Sequence, residues 1–251
     1  MIHDVGDGDP RDGRRAAAIT AATALLLAVA LAPAAPAQTD ASPPVEDWPA
    51  PERRVEGGPL VSERDPAIEV RMPEEARYLG ARRIPIDGRF DAELHVFAEA
   101  DAYGLIERLC WIQFERHLPN APGRYDYPES NPETVLFDGV EMHMRPGGEN
   151  TQTATIQPGS DHAAFRALVD GAELRLPRWL STLRLVLLFE PTERREFIVF
   201  YGEGPDALAE AAAQAMIAGE PGLTFEAMLP ELVADVDRRV DLVPRGEAAG
   251  D

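Results

Sequence analysis

The sequence predicts an α+β domain built on a mainly antiparallel, twisted sheet with helices packed on one face. Three observations predict it. Apolar and polar residues alternate along Arg77 to His117, interrupted by two turn signals. A later pair of apolar stretches, Leu183 to Phe189 and Glu196 to Tyr201, flanks the turn Pro191-Thr192-Glu193-Arg194. Helical periodicity occurs around these stretches, and no strand–helix–strand alternation marks a parallel sheet.

Arg77 to His117 reads as a three-strand meander. Ile86-Asp87-Gly88-Arg89 is the strongest local signal, because Asp-Gly suits the two left-handed positions of a type I′ turn. A two-residue loop there places Ile84 opposite Asp91, Arg82 opposite Glu93, Gly80 opposite His95 and Tyr78 opposite Phe97. The second turn is Ala102-Tyr103-Gly104. If Asp101 and Leu105 close it, Phe97 faces Leu109, His95 faces Trp111, Glu93 faces Gln113 and Asp91 faces Glu115. Both registers agree with the hydrophobic alternation. One face then carries Leu79, Ala81, Leu94, Val96, Cys110, Ile112 and Phe114, a core face. The other carries Arg82, Glu93, His95, Trp111, Gln113 and Glu115 beside Tyr78, Phe97 and Leu109. A longer second loop would swap the partners of the third strand and mix the faces, so the three-residue loop is preferred.

The N-terminus reads as an export signal. Arg11, Arg14 and Arg15 precede the apolar run Ala16 to Leu31, and Ala35-Pro36-Ala37 supplies a cleavage pattern. The run is about 16 residues, short of the roughly 20 that a spanning helix needs. Asp4, Asp7, Asp9 and Asp12 are unusual ahead of a signal. The domain plan is therefore a signal at 1–37, a Pro-rich acidic flexible leader at 38–72 (or a strap lying on the domain), one α+β domain at 73–243 and a frayed tail at 244–251. An uncleaved membrane anchor is the alternative for the first segment. The expected location is exported, periplasmic or secreted, without stable membrane insertion after cleavage. All 24 basic residues are arginine, a composition that fits a GC-rich bacterial genome.

Trp48 is expected to pack its ring onto the domain. Leu118 to Phe137, with seven Pro, Asn or Gly turn-formers around Tyr125 and Tyr127, reads as a loop covering one end of the sheet. Val140 to Met144 alternates as a strand, and Gln152 to Ile156 reads as a short one. Ser160 caps a helix from Asp161 to about Asp170. Leu183 to Phe189 is nearly all apolar, a strand buried on both faces. Helices follow at about 206–218 and about 225–243, the second with Pro230 in its second turn.

Composition excludes some functions. A formal net charge of −20 repels phosphate backbones and anionic lipid, so no nucleic-acid partner is expected. One cysteine, Cys110, rules out an internal disulfide and reads as a small buried hydrophobe. No nucleotide loop, nucleophile motif or metal-ligand motif stands out: Gly202-Glu203-Gly204 reads as a strand-to-helix turn, and Ser160-Asp161-His162 as a capped helix start. No cofactor and no metal are expected.

The suspicious surface is the mixed face. His95, Trp111, Glu93, Gln113, Glu115 and Arg82 would form the floor of a ligand site, apolar rings giving contact and charged groups giving orientation. The leading expectation is an exported domain that binds a small molecule or an envelope protein partner on this Trp/His/Glu face. A second class is a hydrolase or isomerase using His95 with Glu93 or Glu115 as an acid–base pair. A third is an envelope protein-interaction module. Whether the protein is an enzyme is not decided by sequence.

Overall fold

The computed structural model describes residues 48–55, 57–127, 133–189, 192–204 and 225–245. The signal segment, the start of the leader, the helix expected at 206–218 and the end of the tail lie outside the described residues.

Eleven strands and two helices are described. In chain order they are β1 (Arg54–Val55), β2 (Leu60–Glu63), β3 (Ala67–Arg71), β4 (Arg77–Ile86), β5 (Phe90–Ala100), β6 (Ile106–His117), β7 (Thr134–Phe137), β8 (Val140–Asn150), α1 (Asp161–Gly171), β9 (Trp179–Leu188), β10 (Arg195–Glu203), α2 (Phe225–Arg239) and β11 (Asp241–Pro244). They form a seven-stranded sheet of order β4-β5-β6-β10-β9-β8-β7 and a four-stranded sheet of order β1-β2-β3-β11. Every strand pair is antiparallel. The α+β reading, the meander and the later hairpin stand.

The leader is the first correction. Residues 54–71 form β1 to β3, and β3 pairs with β11 from the far end of the chain. The prolines that argued against regular structure sit at turns: Pro59 just before β2 and Pro66 just before β3. Alternation within β3 buries Ile68 and Val70. Two further differences concern strand ends. The stretch 134–137, expected as loop, is the edge strand β7. Gln152 to Ile156 is not a strand, because β8 runs on through Pro146 to Asn150 instead.

Register is the larger correction. Asp87 and Gly88 take positive φ (51° and 62°) and Arg89 N–H donates to Ile86 O at 2.9 Å, the expected type I′ closure. However, Ile86 pairs with Phe90, leaving Arg89 extra, so Ala81 faces His95, Arg83 faces Glu93 and Pro85 faces Asp91. A second irregularity between Tyr78 and Gly80 absorbs Leu79 and restores Tyr78 opposite Phe97. The same happens in the next hairpin. Asp101 N–H donates to Leu105 O at 2.9 Å, as read, but a bulge between Glu99 and Ala100 follows. Thereafter His95 faces Ile112, Glu93 faces Phe114 and Asp91 faces Arg116. Because side chains alternate with period two, a one-residue bulge sends every following residue to the opposite face.

The two faces of the seven-stranded sheet are thereby re-sorted, and both are buried. Phe97, Cys110, Ile112, Phe114, Phe197, Val199 and Tyr201 pack with Leu60, Ile68 and Val70 of the small sheet and with Leu232 and Val236 of α2. Leu94, Val96, Leu109 and Trp111 pack under Phe165, Leu168 and Val169 of α1. The helices therefore take opposite faces, whereas sequence placed both on one. Ser160 caps α1 as expected, its Oγ accepting from Ala163 N–H at 3.2 Å. Gly80 earns its place here: its φ is 132°, and a Cβ would sit 3.2 Å from Leu168 Cδ2.

Phe165 stacks on Trp111 with centroids 5.5 Å apart and planes 10° from parallel, which ties α1 to the sheet. Phe165→Ala is expected to cost about 3–5 kcal/mol in urea unfolding, the range for a truncated core aromatic. A change within experimental error would mean that α1 is not held through this stack.

Candidate functional site

The six residues expected to share one floor are divided by the bulges. Glu93 and His95 face the small sheet. Trp111, Gln113 and Glu115 face α1. Arg82, opposite Leu94, is exposed and belongs to neither cluster. Arg83 takes the place foreseen for it, donating from Nε and Nη2 to both Asp91 oxygens at 2.8 Å.

The first cluster is saturated. Glu93 accepts from the backbone N–H of Glu52 (3.0 Å) and Arg53 (2.7 Å), from Arg53 Nη1 (3.1 Å) and from His95 Nε2 (2.9 Å). Arg53 also lies over the Phe114 ring, 3.7 Å from its centroid. His95 Nδ1 meets the Tyr78 hydroxyl at 3.0 Å. Asp91 accepts from Trp48 Nε1, Arg83 and Arg116, so Trp48 packs onto the domain as its sequence context suggested. Burial alone would raise both carboxyls. The His95 and backbone hydrogen bonds with the Arg53 charge hold Glu93 at about 2. Hydrogen bonds from Arg83, Trp48 and Arg116 do the same for Asp91. His95 is 0 % exposed, with both ring nitrogens engaged. A substrate cannot reach it with residues 52–53 in place, and Glu115 stands on the opposite face of the sheet. Of the two expected acid–base pairs, His95–Glu93 forms but is enclosed, and His95–Glu115 does not assemble.

The second cluster is not saturated. Glu115 on β6 and Glu196 on β10 are directly opposite each other, so their side chains leave the same face about 5 Å apart at Cβ. Glu115 accepts from Gln113 Nε2 at 2.6 Å and from the Tyr125 hydroxyl at 2.8 Å. Gln113 in turn accepts from Trp111 Nε1 at 3.0 Å. Glu196 is 2 % exposed. Its Oε1 accepts from Arg184 Nη2 at 3.3 Å, and its Oε2 has no partner among the described residues.

Loop residues and the start of α1 close around this pair. Tyr127 lies against Arg184, whose guanidinium carbon is 5.2 Å from the ring centroid, and its hydroxyl also interacts with the Glu196 carboxyl, although Oε2 keeps no hydrogen-bond partner among the described residues. Tyr127 also stacks near His143 at 6.0 Å and Tyr125 at 6.3 Å. At the mouth, His162 Nδ1 bonds Asp161 at 3.1 Å, their side chains 47 % and 31 % exposed. Trp111, Tyr125 and Tyr127 thus surround the two carboxyls, and the part-exposed Asp161–His162 pair stands beside Trp111.

Burial raises the Glu115 carboxyl, against the Tyr125 and Gln113 hydrogen bonds. Burial and then the Glu115 charge push Glu196 up to about 8, with Arg184 opposing. Two like charges in one dry site cannot both ionise cheaply, so the pair holds a proton. Asp161 is held low: the His162 hydrogen bond and charge exceed the cost of burial. The thiol of Cys110 is buried and pushed up by burial, as expected for a core residue. Among the described residues, no group of three His, Cys, Asp or Glu side chains converges to hold a metal ion.

Sequence reading singled out Glu115, Gln113 and Trp111, and it assigned Tyr125 and Tyr127 to cover one end of the sheet. It missed Glu196 and Arg184. The available signal was Arg184 itself, the lone charge in an apolar run: a strand buried on both faces carries an arginine only where an acid meets it. The chain matches no protein-family model, no curated protein and no solved structure. The chemistry of the niche therefore rests on its own side chains.

The two clusters give opposite pH dependence. Asp91 and Glu93, held at about 2, bind fewer protons folded than unfolded, so stability falls as pH drops from about 4.5 toward 2. Glu196, at about 8, and Glu203, raised by burial and Asp235 to about 7, bind more protons folded, so stability falls as pH rises from about 4.5 to 8. The melting temperature should therefore peak near pH 5, and Glu196→Gln should flatten the alkaline limb. An alkaline limb identical in the variant would show that Glu196 does not hold a proton.

Proposed function

We propose that the protein is an exported domain that binds a small molecule in the Glu115–Glu196 niche. The observation that carries this reading is the unpartnered Oε2 of Glu196, on a residue 2 % exposed. A buried carboxyl oxygen without a donor costs about 1–3 kcal/mol, and a bound ligand is one account of why such a group is kept. Three features support that account. Trp111, Tyr125 and Tyr127 provide apolar walls, Gln113 and Arg184 provide polar orientation, and the neighbouring Asp161–His162 pair is part-exposed. A carboxyl perturbed by burial beside a specific charged partner is a candidate functional group.

The saturated Asp91/Glu93 network serves as the internal contrast. Its acids have every oxygen engaged, its histidine is enclosed, and it fastens residues 48–53 to the sheet. Export is the reading that the N-terminal segment supports, and the acid-rich chain with one buried thiol is compatible with it.

The test is a ligand-observed NMR screen of polar fragments of mixed charge against the full chain, repeated with Glu196→Gln and with Arg82→Ala. Fragments that bind wild type and Arg82→Ala, and are lost on Glu196→Gln, are expected. Hits that persist in Glu196→Gln, or no hits at all, would remove the niche as the binding site.

A further inference from the structure

The niche is specific about charge. Two carboxyls, Glu115 and Glu196, face one guanidinium, Arg184, and that guanidinium engages only one of the four carboxyl oxygens. The two oxygens of Glu115 are taken by neutral donors, Gln113 and Tyr125. This leaves Glu196 Oε2 without a donor and the pair without a second positive charge.

Among the described residues, the neighbouring elements add these charges. From α1, Asp161 adds a third carboxylate, and His162 is engaged with Asp161. Glu149 at the end of β8 acts on His162, adding further negative charge at the mouth. From β8, Arg145 stands opposite Arg184 but is exposed, and His143 stacks on Tyr127. From the loop, Tyr125 and Tyr127 are neutral, their hydroxyls raised by burial and by the neighbouring carboxyls.

We propose that this niche takes a compact organic cation, a primary ammonium or guanidinium group, whose N–H donates to Glu196 Oε2. The inference rests on the niche being a binding site, and it adds the chemical class of the occupant. An anion would meet Asp161 and the ionised member of the Glu115–Glu196 pair. A neutral donor would satisfy Oε2 yet leave the charge unbalanced. A cation does both, through a charge-assisted hydrogen bond. The tyrosine wall suits the same guest, as Tyr127 already receives the Arg184 guanidinium on its ring. In the empty protein a proton fills the same role, so cation binding displaces that proton. Affinity is then expected to rise between pH 6 and about 8 and to level off above, as Glu196 (about 8) deprotonates.

The experiment is isothermal titration of the full chain at about 0.15 M salt, where exposed charges are largely screened. The probes are agmatine and n-butylammonium, with butyrate and n-butanol as the anionic and neutral counterparts. Titration in two buffers of different ionisation enthalpy at pH 7 reads proton release. Agmatine or butylammonium should bind with proton release, at least about tenfold tighter than the neutral probe, as one charge-assisted bond implies. Glu196→Gln should weaken them by about tenfold or more and abolish the proton release. This variant removes a buried charge rather than volume, so its melting curve at pH 8 confirms that it is folded. Butyrate or butanol binding in place of the cations, still lost on Glu196→Gln, would overturn the cation class while leaving the niche a site. Cation binding unchanged in Glu196→Gln would reveal only general attraction to a chain of net charge −20 and overturn the proposal. No binding by any probe, with no fragment hits, would overturn the niche itself.

Discussion

The seven-stranded sheet must bury both of its faces, and everything else follows from how its central strands sort their side chains to do so. β5 and β6 are long and mixed in composition. In them, the residue at each position meets either the small sheet with α2 or the helix α1, according to register alone. The three-residue turn at 87–89 and a bulge between Glu99 and Ala100 set that register. They place Leu94 and Trp111 under α1 while Ile112 and Phe97 meet the small sheet, so each layer receives enough apolar area to hold. They also divide the acids, sending Asp91 and Glu93 one way and Glu115 the other.

The two acid groups then show what burial does with and without compensation. Beside β5, residues 48–53 bring an indole N–H, two backbone N–H groups and Arg53, while Arg83 and Arg116 close in from neighbouring strands. Charge and hydrogen bonds there exceed the desolvation, and both carboxyls stay ionised far into acid. Beside β10, a single arginine serves two carboxyls and desolvation prevails. The same physics makes the first cluster a clamp on the N-terminal segment and the second a niche with an unmet demand for positive charge.

The ends of the domain are joined by the small sheet. β3 pairs with β11, so residues before the meander and after the last helix form one layer. α2 ends before Val240 and hands directly to β11, with Leu242 N–H donating to Asp138 at 2.6 Å. Leu60, Val70, Val240 and Leu242 carry the layer into the core. A segment whose prolines and acids read as leader is structural because its few apolar residues alternate correctly and find a partner some 170 positions away in sequence.

Local chemistry was legible in the sequence. The Asp-Gly turn, the glycine that closes the second turn, the Ser160 cap, the antiparallel class and the later hairpin all depend on neighbouring residues, and the chain states them directly. Of the niche, Glu115, Gln113 and Trp111 were visible as an alternating triplet on one strand. The bulges were not legible. Each turn formed as its residues dictate, yet the strand beyond it slipped by one, because total burial on both sheet faces outweighs the loss of one ladder position. With that slip, Glu93 and His95 left the face they were expected to share with Trp111, and Glu196 and Arg184 arrived from strands far along the chain. The sequence determined which strands and turns form, since those are local preferences. Only the tertiary structure decided which side chains meet, since that depends on register and on the layer that each face must bury.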